Sequence, residues 1–273
     1  MIDVPAVLAW GMPQLSDLPW RATRDPWAIL VAEVMLQQTQ TARVAPRWES
    51  FLARFATPAG CVAASLGDVL QEWHGLGYPR RARNLHLAAE QIVGRHGGRV
   101  PDELASLLAL PGVGPYTARA VLAFAFGHDV GVVDTNIARV LARAGEMRLT
   151  PVAAQRLADS LVPRGQGWAW NQVLMDLGAR ACRPLPQCAG CPVASTCSWH
   201  LSGHPPPDPA IGSASVSTSQ PPYEGSDRQA RGAVLHALLG GRRPASDFRP
   251  TIVDGLVADG LVERAGDELR LPT

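Results

Sequence analysis

Four of the chain's five cysteines fall within sixteen positions, CRPLPQCAGCPVASTC at 182–197, separated by five, two and five residues. Thiols gathered in this way can pair as disulfides, hold a structural zinc or hold an iron–sulfur cluster. The opening MIDVPAVLAW is acidic and lacks the basic n-region of a secretory signal, so a cytoplasmic location is expected. Cytosolic thiols stay reduced, which makes disulfides the least expected and leaves zinc and iron–sulfur open. Cys61 lies outside the run and is expected to be a small buried hydrophobe.

Two carboxylates sit where acid–base chemistry is conceivable. Glu33 stands in the apolar helical stretch AEVMLQQTQT at 32–41. Half-exposed it would be an ordinary helical glutamate; buried, it would have a raised pKa and could act as a general acid near neutral pH. Asp134 ends an apolar run in VVDTNIARVLAR at 132–143, as a plain N-cap or as a functional carboxylate. Spacing alone does not bring the two together. LPGVGPYTARA at 110–120 joins two helical segments, with Pro115 opening the second. Its glycines either permit a tight turn or present the backbone N–H groups of Gly112, Val113 and Gly114 to a nucleic-acid phosphate, as in a helix-hairpin-helix.

These residues need a scaffold, and 273 positions suit one large domain plus a small one. The longest apolar runs, such as AVLAFAF at 120–126, fall short of a membrane span of ~20 residues. All 25 basic residues are arginine. Without lysine, Schiff-base chemistry is excluded except at the N-terminal amine. Up to residue 200 there are 18 arginines against 15 carboxylates, and beyond it 7 against 9, so a polyanion is expected to meet the first part.

Residues 1–200 show helical apolar spacing throughout and no clear strand alternation. The stretch from Asp25 to Phe55 reads as helical, Asp102 as a cap after Pro101, and Gly97–Gly98 as the end of the preceding helix. Residues 203–226, rich in Pro, Ser and Gly, read as a surface linker. In the remainder, DRQARGAVLHALL and TIVDGLVADG read as helices, and LVERAGDELRL as two strands turning at Ala265–Gly266–Asp267. The expected organisation is a region over 1–200, a linker over 201–226 and a small winged-helix-like α+β module over 227–273.

LPWR (18–21), EVMLQQTQ (33–40), GLGYPRRARN (75–84), LPGVGPYTARA, VVDTNIARVLAR and NQVLMDLGA (171–179), followed by the cysteine run, occur in that order. Together they resemble the adenine DNA glycosylases of the helix-hairpin-helix iron–sulfur superfamily over residues 15–200. The resemblance implies a mainly α, two-lobed glycosylase fold. It also implies one 4Fe-4S cluster on Cys182, Cys188, Cys191 and Cys197, although the family's first gap is six residues rather than five; zinc on the same thiols is the alternative. The implied partner is double-stranded DNA carrying adenine opposite 8-oxoguanine or guanine, bound by a monomer.

By the same resemblance, Glu33 protonates the adenine at N7 and carboxylate Asp134 stabilises the cationic sugar, with Tyr116 and Asn136 beside them. A thymine-specific relative usually has tyrosine in place of Glu33. Related lyases carry a Schiff-base lysine where Tyr116 stands, so base release without strand cleavage is implied. Leu18, Trp20, Arg21 and Asp176 match the adenine pocket. Gln38 and Tyr78 match residues that wedge into the duplex, and Arg80, Arg81 and Arg83 form a basic patch suited to phosphates. Their ordinary alternatives are core aromatics, a helix-surface amide and a solvated face.

Two departures stand out. Ser16 replaces an arginine found in many relatives, and the ~47-residue ending is too small for the nudix-like domain that usually reads 8-oxoguanine. Two other classes of function fit parts of the chain. One is a redox-sensing DNA-binding regulator built from cluster and winged helix. The other is a zinc-bearing scaffold that binds DNA without chemistry.

Overall fold

The computed structural model describes residues 2–216 and 222–273. Its helices run α1 (Val4–Gly11), α2 (Pro26–Leu36), α3 (Thr41–Arg54), α4 (Pro58–Val62), α5 (Leu66–Glu72), α6 (Arg80–His96), α7 (Leu104–Leu108), α8 (Pro115–Phe124), α9 (Thr135–Ala144), α10 (Pro151–Leu161), α11 (Gly167–Arg180), α12 (Ser198–Leu201), α13 (Asp227–Leu238) and α14 (Pro250–Ala258). Three short strands, β1 (Arg243–Pro244), β2 (Glu263–Ala265) and β3 (Glu268–Arg270), lie near the C-terminus. The chain is mainly helical, as its apolar spacing implies. It divides into two compact units, residues 1–24 with 115–219, and residues 25–114 with 220–273.

In the first unit α11 packs on α1, α8 and α9, and α9 also meets α10 and α12. Ile137 and Leu141 of α9 and Trp170, Leu174 and Leu177 of α11 are fully buried and form its centre. The Pro/Ser-rich stretch does not lie loosely over this unit. Ala210 and Ser213 are buried, Ser213 Oγ accepts from Leu149 N at 2.9 Å, and Ala214 N donates to Leu149 O at 2.9 Å. Residues 217–221 of that stretch lie outside the described residues.

In the second unit α2 packs against α3 and α6, and α6 against α4 and α5, around Leu30, Met35, Phe51, Leu85 and Ile92. The continuous helical stretch expected from Asp25 to Phe55 is two helices. The polar QQTQ offers nothing to bury, and Gln38 takes a left-handed φ of 57°. α6 ends on Gly97 at φ 60°, as expected. The cap of α7, however, is extended Glu103 rather than Asp102, and it makes no side-chain capping bond.

The C-terminal residues belong to this second unit. α13 packs on α14, and the strands form an antiparallel sheet of order β1-β3-β2, with Arg264 opposite Leu269. The expected hairpin is thus present, and β1 adds an edge strand too short for its period to show in sequence. Val234, Leu238, Leu256, Leu261 and Leu269 form its core. Pro272 O accepts from Gly67 N at 2.9 Å, an approach so close that a Cβ on Gly67 would sit 2.6 Å from that oxygen.

His236 of α13 stacks on His74 at a centroid distance of 4.8 Å. Burial pushes the His74 imidazole below its ordinary value, and the neighbouring His236 and Arg47 add to this. A base with a lowered pKa binds its proton less well in the docked state. The contact is therefore fully present above about pH 6.5 and weakens as pH falls below it. An NMR titration of the His74 ring should show a midpoint below ~6.5 that moves up in His236→Ala; a midpoint at or above that value in the parent protein would contradict the contact.

Candidate functional site

Glu33 lies in a helix whose residues Trp27 to Met35 are all buried. Asp25 caps that helix, accepting from Trp27 N at 2.8 Å and Ala28 N at 3.2 Å, and Pro26 occupies the first helical position. Two indoles pin it in place: Trp48 Nε1 donates to Ala28 O at 2.8 Å, and Trp27 Nε1 to Phe55 O at 2.9 Å. In this apolar setting Glu33 is only 4 % exposed. The half-exposed alternative is therefore excluded.

Gln38 and Tyr78, matched to the wedge positions, share a property that sequence does not display. Both are non-glycine residues with left-handed backbone, at φ 57° and 48°. Such conformations are costly for side chains with a Cβ and cluster at functional sites. Both turns converge on one buried group, the Arg81 guanidinium. Its Nη1 donates to Val34 O, Met35 O and Gln37 O at 2.9, 2.8 and 2.6 Å. Its Nη2 donates to Leu76 O at 3.0 Å, Gly77 O at 2.9 Å and Thr39 Oγ1 at 3.0 Å. Arg81 is 8 % exposed, and burial pushes its pKa down to about 10.

Arg81 is therefore removed from the expected phosphate-binding patch, since it is buried and both of its Nη atoms donate inside the protein. Arg80 remains largely exposed, paired with Asp259. The hairpin needs a similar revision. Val113 N donates to Leu110 O at 3.2 Å, so this amide closes the turn and is not a bare donor for phosphate. Gly112 has φ 76°, and a Cβ there would come within 2.8 Å of the Asn84 side chain. Gly114 has open space where a Cβ would lie.

Asp134 belongs to the first unit, as the N-cap of α9. Its carboxylate accepts from Ile137 N at 2.7 Å and from Asn136 Nδ2 at 2.9 Å. Burial pushes this carboxyl above its ordinary value, opposed by those two hydrogen bonds and by the charge of Arg139. Arg139 Nη2 in turn donates to Asn136 Oδ1 at 2.8 Å and to Gly178 O at 2.7 Å, while its Nε reaches Cys182 O at 2.5 Å. A methyl group on Gly178 would lie 2.6 Å from Asn136 Cβ, so glycine is what allows α11 to approach here. Tyr116 stands half-buried in the first turn of α8.

Arg21 and Asp176, both matched to the base pocket, form a buried two-bond ion pair of 2.8 and 3.1 Å. Asp176 also accepts from Ser16 N at 2.7 Å, and Arg21 donates to Ser16 O at 3.0 Å, so Ser16 takes part through its backbone. Burial alone would raise the Asp176 carboxyl; the Arg21 pair and the Ser16 amide outweigh it and hold it below its ordinary value. Trp20 is buried and Leu18 half-buried beside this loop.

Cys182, Cys188, Cys191 and Cys197 line one pocket together with Val140, Arg143, Val193 and Trp199. None is in a disulfide. Burial pushes all four thiols up, and a metal centre offsets that cost by binding them as thiolates. Arg143, 2 % exposed, braces the site. It donates to Cys182 Sγ at 3.5 Å, Arg183 O at 2.6 Å and Pro184 O at 3.0 Å, pairs with Asp208, and lies 4.8 Å from the Trp199 ring. An all-sulfur donor set in a largely apolar pocket fits an iron–sulfur centre. Cys188, His200 and His204 also bring ligand atoms within 4.8 Å of one another, a zinc-type set that competes for Cys188. Cys61, buried elsewhere with its thiol pushed up to about 12 mainly by burial, is an inert hydrophobe.

Arg81, Arg139, Arg143 and Asp208 escaped the sequence reading as organising residues. The available signal was an arginine on an otherwise apolar helical face, as in NIARVLARA, where every residue from Ile137 to Ala144 is buried.

A helical scaffold with a glycine hairpin, a buried carboxyl and a four-thiol loop defines a class, and comparison with known proteins agrees. Residues 31–164 match the HhH-GPD superfamily of base excision DNA repair proteins. The chain is similar to the adenine DNA glycosylase of Mycobacterium tuberculosis, 41% identical over 96% of this chain and 90% of that one. Among solved structures, a thermostable thymine-DNA glycosylase aligns with TM-score 0.68 and 31% identity over 73% of this chain and 95% of its own. Endonuclease III in a non-covalent DNA complex aligns with TM-score 0.65 and 25% identity over 74% and 99%. Within this superfamily, the chain belongs to the adenine DNA glycosylase family. Among the described residues no helix is long and apolar enough to cross a membrane.

Proposed function

We propose that this protein is a monofunctional adenine DNA glycosylase of base excision repair. It would act as a cytoplasmic monomer on duplex DNA in which adenine faces 8-oxoguanine or guanine. The observation that carries this reading is the burial of Glu33 within the apolar helix α2. Glu33 is buried at 4 % exposure in an apolar helix, a setting that penalises the ionised form and favours a proton donor. The Asp134 carboxyl is raised above its ordinary value by burial, and the amide and carboxamide donors that hold it at a helix N-terminus work against that shift.

In this reading the adenine is first swung out of the stack. Glu33 gives its proton to N7, the C1′–N9 bond breaks, and its electron pair stays on the neutral base. Asp134 stabilises the cationic sugar until water adds at C1′ and loses a proton, leaving an abasic site. Asn136, bound to both Asp134 and Arg139, orients the carboxylate, and Tyr116 would stand beside them. Leu18, Trp20, Arg21 and Asp176 would shape the base pocket, and Gln38 and Tyr78 would occupy the space left in the duplex. Arg80, Gly112 and Gly114 remain candidates for backbone contacts. No lysine is present to form a Schiff base, so the phosphodiester stays intact.

Cys182, Cys188, Cys191 and Cys197, which share a pocket with Val140 and Arg143 of α9, would hold a 4Fe-4S cluster, and its contribution would be structural rather than a step of base release. The shortened first gap is bridged by a loop that Arg143 holds at Arg183 O and Pro184 O.

The test is a single-turnover assay on duplexes carrying A opposite 8-oxoguanine, G or C, developed with and without alkali. Base release on the first two, with strand scission only after alkali, is expected. Glu33→Gln should lose roughly 10²–10⁴-fold while still binding the mispair; a rate within about tenfold of the parent would reject Glu33 as the acid. Anaerobically purified protein should contain about four irons per chain, as a 4Fe-4S centre requires. Stoichiometric zinc without iron would overturn the cluster.

A further inference from the structure

Beyond the glycosylase body, the C-terminal module meets the segment that carries Tyr78. Arg228, in the first turn of α13, donates from Nη1 to Tyr78 Oη at 2.9 Å. Its guanidinium lies 6.0 Å from the Tyr78 ring centroid and 5.9 Å from that of Tyr223. Arg81 reaches the same Tyr78 ring at 5.6 Å. The aromatic side chain is thus held by two guanidiniums, one from the helical body and one from the module.

The rest of the contact is arranged to hold Arg228 in place. Asp259, at the end of α14, pairs both with Arg80, two residues beyond Tyr78, and with Arg231, three residues beyond Arg228. The Arg80 and Arg231 hydrogen bonds keep the Asp259 carboxyl below its ordinary value. The Gly67–Pro272 hydrogen bond and the His74–His236 stack fasten the module on either side. A module that merely tethered the chain end would not need to spend an arginine on a phenol oxygen.

We infer that the C-terminal module is a positioning element for Tyr78, with Arg228 setting the orientation of its ring, and that the module tunes discrimination of the base opposite the adenine through this side chain. The inference rests on the proposed reading, in which Tyr78 enters the duplex at the mispair. It gives a 47-residue module a part in damage recognition without requiring it to grip phosphate, for which its seven arginines, balanced by seven carboxylates, give no net positive charge. A hydrogen bond with a charged donor is lost when Arg228 is truncated, which frees the ring to take other rotamers.

The experiment compares single-turnover adenine release on A:8-oxoguanine and A:G duplexes for the parent, Arg228→Ala, Tyr78→Phe and the double variant, all full-length. Tyr78→Phe keeps the ring and removes only the oxygen that Arg228 holds. Arg228→Ala should lower the ratio of the two rates by about three- to tenfold, in keeping with loss of one hydrogen bond, and should add nothing in the Tyr78→Phe background. A ratio within twofold of the parent would overturn the inference, as would an Arg228→Ala effect of undiminished size in the double variant. Failure of the parent to release adenine from either duplex would instead reject the proposed function itself.

Discussion

The second unit depends on where six acceptors find their donor. α2 ends with three carbonyls, Val34, Met35 and Gln37, that no longer have a helical partner ahead of them, and the turn before α6 presents those of Leu76 and Gly77. Buried carbonyls left without a donor are expensive, so both turns fold around one Arg81 guanidinium. Its planar fork can serve two groups of acceptors in different directions, which a lysine ammonium could not do with the same geometry. The consequence reaches the surface: α2 stops where Gln38 must turn left-handed, and the second turn delivers Tyr78 in a similar conformation. An interior requirement for hydrogen bonds thereby shapes the two residues proposed to meet the DNA.

The same device recurs in the first unit. Arg139 bridges Asn136, Gly178 and Cys182; Arg143 joins α9 to the cysteine loop and to Asp208; and Arg21 closes on Asp176 and Ser16. In a chain whose basic residues are all arginine, these buried forks act as brackets between segments distant in sequence. Each meets carboxylates, carbonyls or an amide oxygen in fixed directions, which offsets the cost of removing it from water. Asp134 illustrates the result. Its carboxylate is shared between an amide and Asn136, Asn136 is held by Arg139, and Arg139 is anchored on the backbone of the cysteine loop. The candidate catalytic group and the cysteine loop are thus parts of one hydrogen-bonded structure.

Much of this was legible in the sequence. The cysteine spacing, the Gly97 stop, Pro115 at the start of α8 and Asp134 before α9 are local signals, carried by residue type over a few positions, and the structure keeps them. What could not be read depends on partners far away along the chain. Arg81 looked like its neighbours Arg80 and Arg83, because a charge facing inward and one facing outward differ only in the carbonyls waiting for it. Val113 looked like a bare amide until its turn closed on Leu110. The Pro/Ser-rich stretch looked unable to pack, yet Ser213 and Asp208 find Leu149 and Arg143 more than sixty residues earlier. The helix break at Gln37–Gln40 was written as a run of polar residues, but its cause lay in α6.

That Arg81 sets the two strained turns rather than touching DNA is open to one direct measurement. A crystal structure of Arg81→Lys would keep a positive charge in place while removing the fork. The expected result is that Gln38 or Tyr78 leaves the left-handed region, from φ values of 57° and 48°, as the carbonyls of Gln37 and Leu76 seek other donors. If both residues keep their positive φ and both turns stay closed, the strain has another source and Arg81 does not shape the two turns proposed to meet DNA.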